Sequence, residues 1–193
     1  MKFIIMAGRP ESGKRDAVFA LGKKLVAQGQ KGALIITEKG EYDSGYKDSS
    51  IPGLTVTELF LDCTPCSLRF VLEKMLKKMR NSDFIVIELS GSTLLLETRE
   101  SLEPMKLPNL SFSPIVYFVN AETFRIDIPV YPEFFLSQIR DSDIICINRG
   151  SAGEGQVEDL RAFLIRINSN ATILELPSVA ASSKYQELFG LIE

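Results

Sequence analysis

The run Gly8-Arg9-Pro10-Glu11-Ser12-Gly13-Lys14 has the residue types and spacing for one kind of chemistry, the capture of phosphate. Its glycines let backbone N–H groups turn toward an anion, and the lysine that follows can neutralise the outer phosphate oxygens. The next position in such loops carries Ser or Thr, whose hydroxyl binds Mg²⁺, but here it is Arg15. A guanidinium cannot ligate a cation. Mg²⁺ must therefore be held by other oxygens, with Asp16 and Glu88 as the candidates, or be absent. Phosphate binding survives this change better than hydrolysis does.

Other chemistries are cut back by composition. The chain has no histidine, which removes imidazole acid/base catalysis and every metal site that needs a ring nitrogen. Its 3 cysteines are too few for a disulfide framework and fit a reducing compartment. Cys63 and Cys66 form a C-x-x-C pair, compatible with a soft metal such as Zn²⁺, with a redox pair or with two inert thiols. Asp62 or Glu41 could complete a metal site there. Cys146 lies within an apolar run and reads as a small core residue.

These residues must be positioned by the elements around them. Lys2 to Met6 reads as a buried strand, followed by the glycine-rich loop and a helix from Lys14 to about Gln28 with Ala17, Val18, Leu21, Leu25 and Val26 facing inward. Gly29 ends that helix as a left-handed cap. Further strands are expected at Ala33–Thr37, Thr55–Leu61, Phe84–Leu89, Ile115–Val119, Asp143–Asn148 and Ala171–Leu176. Helices are expected from a cap at Ser67 to about Arg80, over Leu94–Leu102, Tyr131–Ile139 and Gln156–Ile167, and in the tail from Ala181 to Ile192. Segments Glu41–Gly53 and Gly91–Pro114 read as irregular.

Apolar strands alternating with amphipathic helices predict a three-layer α/β/α fold with a mostly parallel central sheet. Ligands then bind beyond the carboxyl ends of the strands. The length, 193 residues, fits one domain over 1–193. With 22 basic and 25 acidic residues the net charge is −3, and no basic cluster is interleaved with aromatics, which argues against nucleic acid. No apolar run is long enough for a bilayer and no leader pattern is visible, so the expected place is the cytoplasm, away from membranes.

Several segments together resemble the nucleotide-binding domain of the CobW-like metallochaperone P-loop GTPases, relatives of the hydrogenase and urease nickel-insertion proteins. Thr37-Glu38-Lys39-Gly40-Glu41 is similar to the family's Asn-Glu-Phe-Gly-Glu segment. Cys63-Thr64-Pro65-Cys66-Ser67-Leu68-Arg69 resembles its Gly-Cys-x-Cys-Cys-x-x-Arg segment, with Pro65 at the middle cysteine. Phe84 to Gly91 resembles an apolar strand ending in Glu-x-Ser-Gly. Val119-Asn120-Ala121 is similar to Val-Asp-Ala, and Asn148-Arg149-Gly150-Ser151 stands where the family carries Asn-Lys-x-Asp.

The resemblance implies a purine nucleotide, GTP or ATP, held by Gly8, Glu11, Ser12, Gly13, Lys14, Arg15 and Asp16, with Gly91 near the γ-phosphate and Asn148 and Arg149 near the base. Lys14 and Glu88 would be the catalytic pair, Glu88 beside Mg²⁺. Cys63, Cys66 and Glu41 would hold Zn²⁺ or another transition metal. A metalloprotein client, a link to metalloenzyme or cobalamin maturation and a homodimer are further implications. In the family the terminal Asp of Asn-Lys-x-Asp accepts guanine's N–H groups. Ser151 carries no charge there. The family's C-terminal domain and histidine-rich segments have no counterpart in the sequence.

Because the departures at Arg15, Pro65, Asn120 and Ser151 all fall on functional positions, two readings stand. One is a nucleotide-binding protein with slow hydrolysis. The other is a non-hydrolysing module that acts by binding a partner or a metal. Small-molecule kinases also use a Gly-x-Pro-x-Ser-Gly-Lys loop, but the sequence has no Arg-rich lid.

Overall fold

A computed structural model describes residues 1–38, 51–59, 65–79, 81–89, 91, 93–102, 110–127, 129, 132–177 and 183–192. The amino-terminal apolar run forms β1 (Lys2–Gly8), and the loop after it feeds directly into α1 (Lys14–Ala27). Gly29, at φ 87°, closes that helix in the left-handed region, as expected for a residue without a Cβ. There follow β2 (Gly32–Ile36), β3 (Leu54–Glu58), α2 (Pro65–Lys78) and β4 (Phe84–Leu89). The second half adds α3 (Leu95–Leu102), β5 (Ser111–Phe112), β6 (Val116–Asn120), α4 (Phe124–Asp127), α5 (Pro132–Arg140), β7 (Ile144–Asn148), α6 (Glu154–Ile167), β8 (Thr172–Leu176) and α7 (Gln186–Ile192).

The strands form one sheet in the order β3-β2-β4-β1-β6-β7-β8, with the short β5 also on β1, and each pairing is parallel. A parallel sheet sends both faces into apolar packing, so its inner strands are continuous apolar runs, while β3 and β8 at the edges are partly polar and exposed. One face packs Ile4, Met6, Leu34, Ile36, Phe84 and Val86 against Val18 and Leu21 of α1 and Leu188 of α7. The other packs Phe3, Ile5, Ile35, Ile85 and Ile87 with Leu72 of α2, Leu95 of α3, Ile139 of α5 and Leu164 of α6. The expected three-layer α/β/α architecture is therefore found.

Three local expectations need correction. The helix expected from Ser67 begins at Pro65, where proline's fixed φ and missing N–H suit the first helical turn. β5 and α4 fall where no element was expected. They are 2 and 4 residues long, too short to show a period. The tail helix starts at Gln186, later than expected.

No helix among the described residues is long and apolar enough to cross a membrane.

Candidate phosphate site

Alternation along the strands decides which side chains meet at the carboxyl edge. In β4, Phe84 and Val86 face α1, so Glu88 two residues further on faces it too, and in register it lies opposite Met6 of β1 and Ile36 of β2. In β2, Leu34 and Ile36 face α1, and the same step brings Glu38 to that side just beyond the strand end. The first turn of α1 contributes Lys14 and Arg15. Two cations and two carboxylates thus converge at the centre of the sheet.

Their contacts are direct. Lys14 Nζ pairs with Glu38 Oε2, donates to the Arg9 carbonyl at 3.2 Å and lies 3.7 Å from Glu88 Oε1. Arg15 Nε donates to both Glu88 oxygens, at 3.2 and 3.0 Å, and its Nη2 donates to the Glu38 carbonyl at 2.6 Å. Glu88 is 1% exposed and Lys14 3%. Burial pushes the Glu88 carboxyl above its ordinary range, opposed by the Arg15 hydrogen bond and the Lys14 and Arg15 charges. Glu38 Oε1 also accepts the Gly91 N–H at 3.5 Å. One carboxylate therefore touches both groups that the sequence assigns to the outer phosphate, Lys14 and the Gly91 amide.

The loop itself is under constraint. Glu11 is exposed and has φ 61°, uncommon for a residue with a side chain, and Asn120 Nδ2 donates to its carbonyl at 3.2 Å. Gly13 has φ 84°, a left-handed conformation that favours glycine, and a Cβ there would close to 2.9 Å on Asn148 Nδ2, the movable end of that side chain. Gly8 is closed in the same way, since a Cβ would come within 2.6 Å of the Phe118 carbonyl. Ser12 is 1% exposed, and its Oγ is buried with no hydrogen-bond partner among the described residues. A buried orphan hydroxyl is costly unless a ligand satisfies it. Arg9 stacks 5.3 Å from the ring centre of Phe135, beside the loop.

A second polar cluster sits at the ends of β6 and β7, where Asn120 and Asn148 are register partners. Asn120 Oδ1 accepts the Glu122 N–H at 2.9 Å, and the Asn148 carbonyl accepts the Ala121 N–H at 3.0 Å. Arg149 is half-buried and its Nε donates to the Ala152 carbonyl at 3.4 Å, closing its own turn. The Glu122 carboxylate accepts both the N–H and the hydroxyl of Ser151. Those bonds hold its pKa below the ordinary range.

The structure thus brings together Gly8, Glu11, Ser12, Gly13, Lys14, Arg15, Glu88 and Gly91, with Asn148 packed on the loop. Asp16 points from the first turn of α1 as an exposed side chain. Glu41 and Cys63 lie outside the described residues, as does the side chain of Cys66. Among the described residues no group of three or more His, Cys, Asp or Glu could hold a metal ion. Burial raises the Cys146 thiol well above its usual pKa, leaving it neutral and unreactive.

Two site residues were not singled out from sequence as ligands. The strand alternation continued past Ile36 would have found Glu38. Nothing local marks Glu122 as the partner of Ser151, 29 positions away.

A cleft of about 850 Å³ between α4 and α6, lined by Phe124, Leu160 and Phe163 among others, includes none of the phosphate-loop residues.

Comparison with known proteins agrees with this fold. The family model described as CobW/HypB/UreG, nucleotide-binding domain, matches residues 2–175. No curated protein sequence matches the chain. Among solved structures, the hydrogenase maturation factor HypB from Archaeoglobus fulgidus is similar at TM-score 0.69 and 15% identity, covering 98% of this chain and 87% of that one. Zn(II)-bound YjiA GTPase from E. coli is similar at TM-score 0.67 and 18% identity, covering 100% of this chain and 61% of that one. The signal recognition particle receptor FtsY from Elizabethkingia anophelis, in complex with GDP, is similar at TM-score 0.58 and 11% identity, covering 95% and 58%. These identities speak for the fold.

Proposed function

The chain belongs to the family of CobW/HypB/UreG nucleotide-binding domains, and from that premise we propose that it binds a purine nucleoside triphosphate at the loop between β1 and α1, with hydrolysis slow or absent. The observation that carries this reading is the orphan Ser12 Oγ, buried within a strained glycine loop at the open end of a 14-residue helix. That helix has no side-chain cap on its first turn, so its N–H groups and its positive end serve an anion. Lys14 Nζ and the Gly91 amide, now on Glu38, are donors that a terminal phosphate would take over.

Slow turnover follows from the residues around the phosphates. Efficient hydrolysis depends on positioning a water and on neutralising charge that develops on the γ-phosphoryl oxygens. Among the described residues the octahedral oxygen shell that Mg²⁺ demands does not fit here. The hydroxyl ligand is replaced by Arg15, and both oxygens of Glu88 accept from that guanidinium. The residues that remain can bind and orient a phosphate tail.

Base choice rests on Asn148 and on the Glu122–Ser151 pair. Cys63, Cys66 and Glu41 as a Zn²⁺ site, and a metalloprotein client for it, form a separate proposal. Metal analysis of the untreated protein checks it.

The central test is titration of the purified chain with GTP and ATP by calorimetry. Binding of at least one is expected, and Lys14→Ala is expected to abolish it. A wild-type chain that binds neither nucleotide would overturn this reading. Phosphate release well below one turnover per minute is expected in the same samples, at or under the scale of an unassisted GTPase.

A further inference from the structure

Arg15 occupies the first turn of α1 at the position where a hydroxyl would hold a metal ion, and it does more than remove that hydroxyl. Its guanidinium lies between the strand-end carboxylate Glu88 and the Glu38 backbone, donating to both oxygens of the first and to the carbonyl of the second. In a Mg²⁺-dependent phosphate site the ion bridges such a carboxylate and the β- and γ-phosphate oxygens. Here a permanent positive charge already stands against that carboxylate, with its side chain 18% exposed and Glu88 at 1%.

We propose that the Arg15 guanidinium is the resident cation of this site, so that the chain takes its nucleotide in the metal-free form. The inference rests on the nucleotide-binding reading above and specifies the ligand further. Three features support it beyond the substitution itself. Glu88 has no oxygen free of Arg15, and Lys14 lies 3.7 Å from the same carboxylate, so a divalent ion would face two cations. The guanidinium brings a permanent positive charge to the side of the phosphate loop, which an ion-binding hydroxyl lacks without its metal. And Arg15 is anchored at two points, which fixes its charge at the loop without the help of a ligand.

A triphosphate in solution with Mg²⁺ carries the ion on its phosphate tail, and to enter this site it must shed it. Excess Mg²⁺ therefore leaves affinity unchanged or lowers it. The experiment is calorimetric titration of the wild-type chain with GTP and with ATP, once in excess EDTA and once in excess MgCl₂. Comparable or tighter binding in EDTA is expected, with a change of less than about threefold in the direction of Mg²⁺. Affinity that rises tenfold or more with Mg²⁺ overturns the inference while leaving the nucleotide-binding reading intact. Binding of neither nucleotide under either condition overturns both.

Arg15→Thr restores the hydroxyl and supplies a second measurement. It is expected to weaken binding in EDTA by about tenfold or more and to recover on addition of Mg²⁺, reversing the wild-type pattern. An Arg15→Thr chain whose binding is as indifferent to Mg²⁺ as the wild type also overturns the inference. The wild-type titrations decide the matter should that variant not fold.

Discussion

The two ends of the candidate nucleotide site are built on opposite physical plans. At the phosphate end, the buried Lys14 and Glu88 and the half-buried Arg15 and Glu38 form a network in which each cation is matched by a carboxylate. At the base end, Asn120, Glu122, Asn148 and Ser151 form short, mostly exposed contacts at the mouths of β6 and β7. Buried charges cannot be removed singly, because the partner left behind has no water to turn to. Exposed polar groups can be exchanged at little cost to the fold. The phosphate end is thus tied to folding, and the base end is open to variation. The departures from the family's motifs follow the same division. Arg15 came with a matched partner, whereas Ser151 simply lost a charge and is held by Glu122.

The largest effect should come from breaking the buried network. Arg15→Met is expected to destabilise the chain by about 2–3 kcal/mol in urea unfolding, below the usual cost of orphaning a buried charge because Lys14 stays 3.7 Å from Glu88. Adding Glu88→Gln should recover about 1–2 kcal/mol of that loss, since the two residues are in contact and their effects will not add. An Arg15→Met chain as stable as the wild type would show that the network is not tied to folding, and the contrast between the two ends would fail.

A smaller effect is expected where the two ends touch. Asn148 Nδ2 lies 2.9 Å from where a Gly13 Cβ would be, so it packs on the phosphate loop, and it is also the residue proposed to face the base. Asn148→Ala is expected to weaken nucleotide binding by about three- to tenfold while costing about 1 kcal/mol of stability or less. Calorimetry and urea unfolding on one preparation separate the two numbers. A stability loss as large as that of Arg15→Met would place Asn148 in the buried network.

How much of this was legible in the sequence depends on the range of the interaction. The strand, loop and helix around Gly8 to Lys14 were legible because apolar run, glycines and lysine are contiguous and each acts through its own backbone. The inner strands β1, β2, β4, β6 and β7 were legible as apolar runs, since burial on both faces removes the polar alternation that the edge strands β3 and β8 keep. α4 and β5 were not, being shorter than one period of their own pattern. The pairing of Arg15 with Glu88 spans 73 positions and depends on the register that sets Met6 opposite Glu88. Sequence offered both residues as site candidates but not their contact. It therefore left Glu88 beside Mg²⁺, while the fold gives it a guanidinium. Glu122 was harder still, because only the return of β7 beside β6 brings Ser151 to it.

The smallest effects concern pH, and their signs separate the two ends. Glu88 has its pKa raised by burial in the folded chain, so between its unfolded and folded values the folded state holds the extra proton. Its contribution to stability is present below the unfolded value and is lost as pH rises through the folded one. Glu122 is the reverse, with its pKa lowered by the Ser151 bonds. Its contribution is present above the unfolded value and is lost as pH falls through the folded one. Unfolding curves for the wild type, Glu88→Gln and Glu122→Gln across the acidic range should resolve this. The wild type's advantage over Glu88→Gln should shrink as pH rises from the ordinary carboxylate range upward. Its difference from Glu122→Gln should shrink as pH falls below that range, and by less, because Glu122 is exposed and solvent screens it. Slopes of the same sign would mean that Arg15 and Lys14 outweigh burial at Glu88. The phosphate end would then be a stabilising ion pair like any other, rather than one whose charges are kept at a cost to the fold.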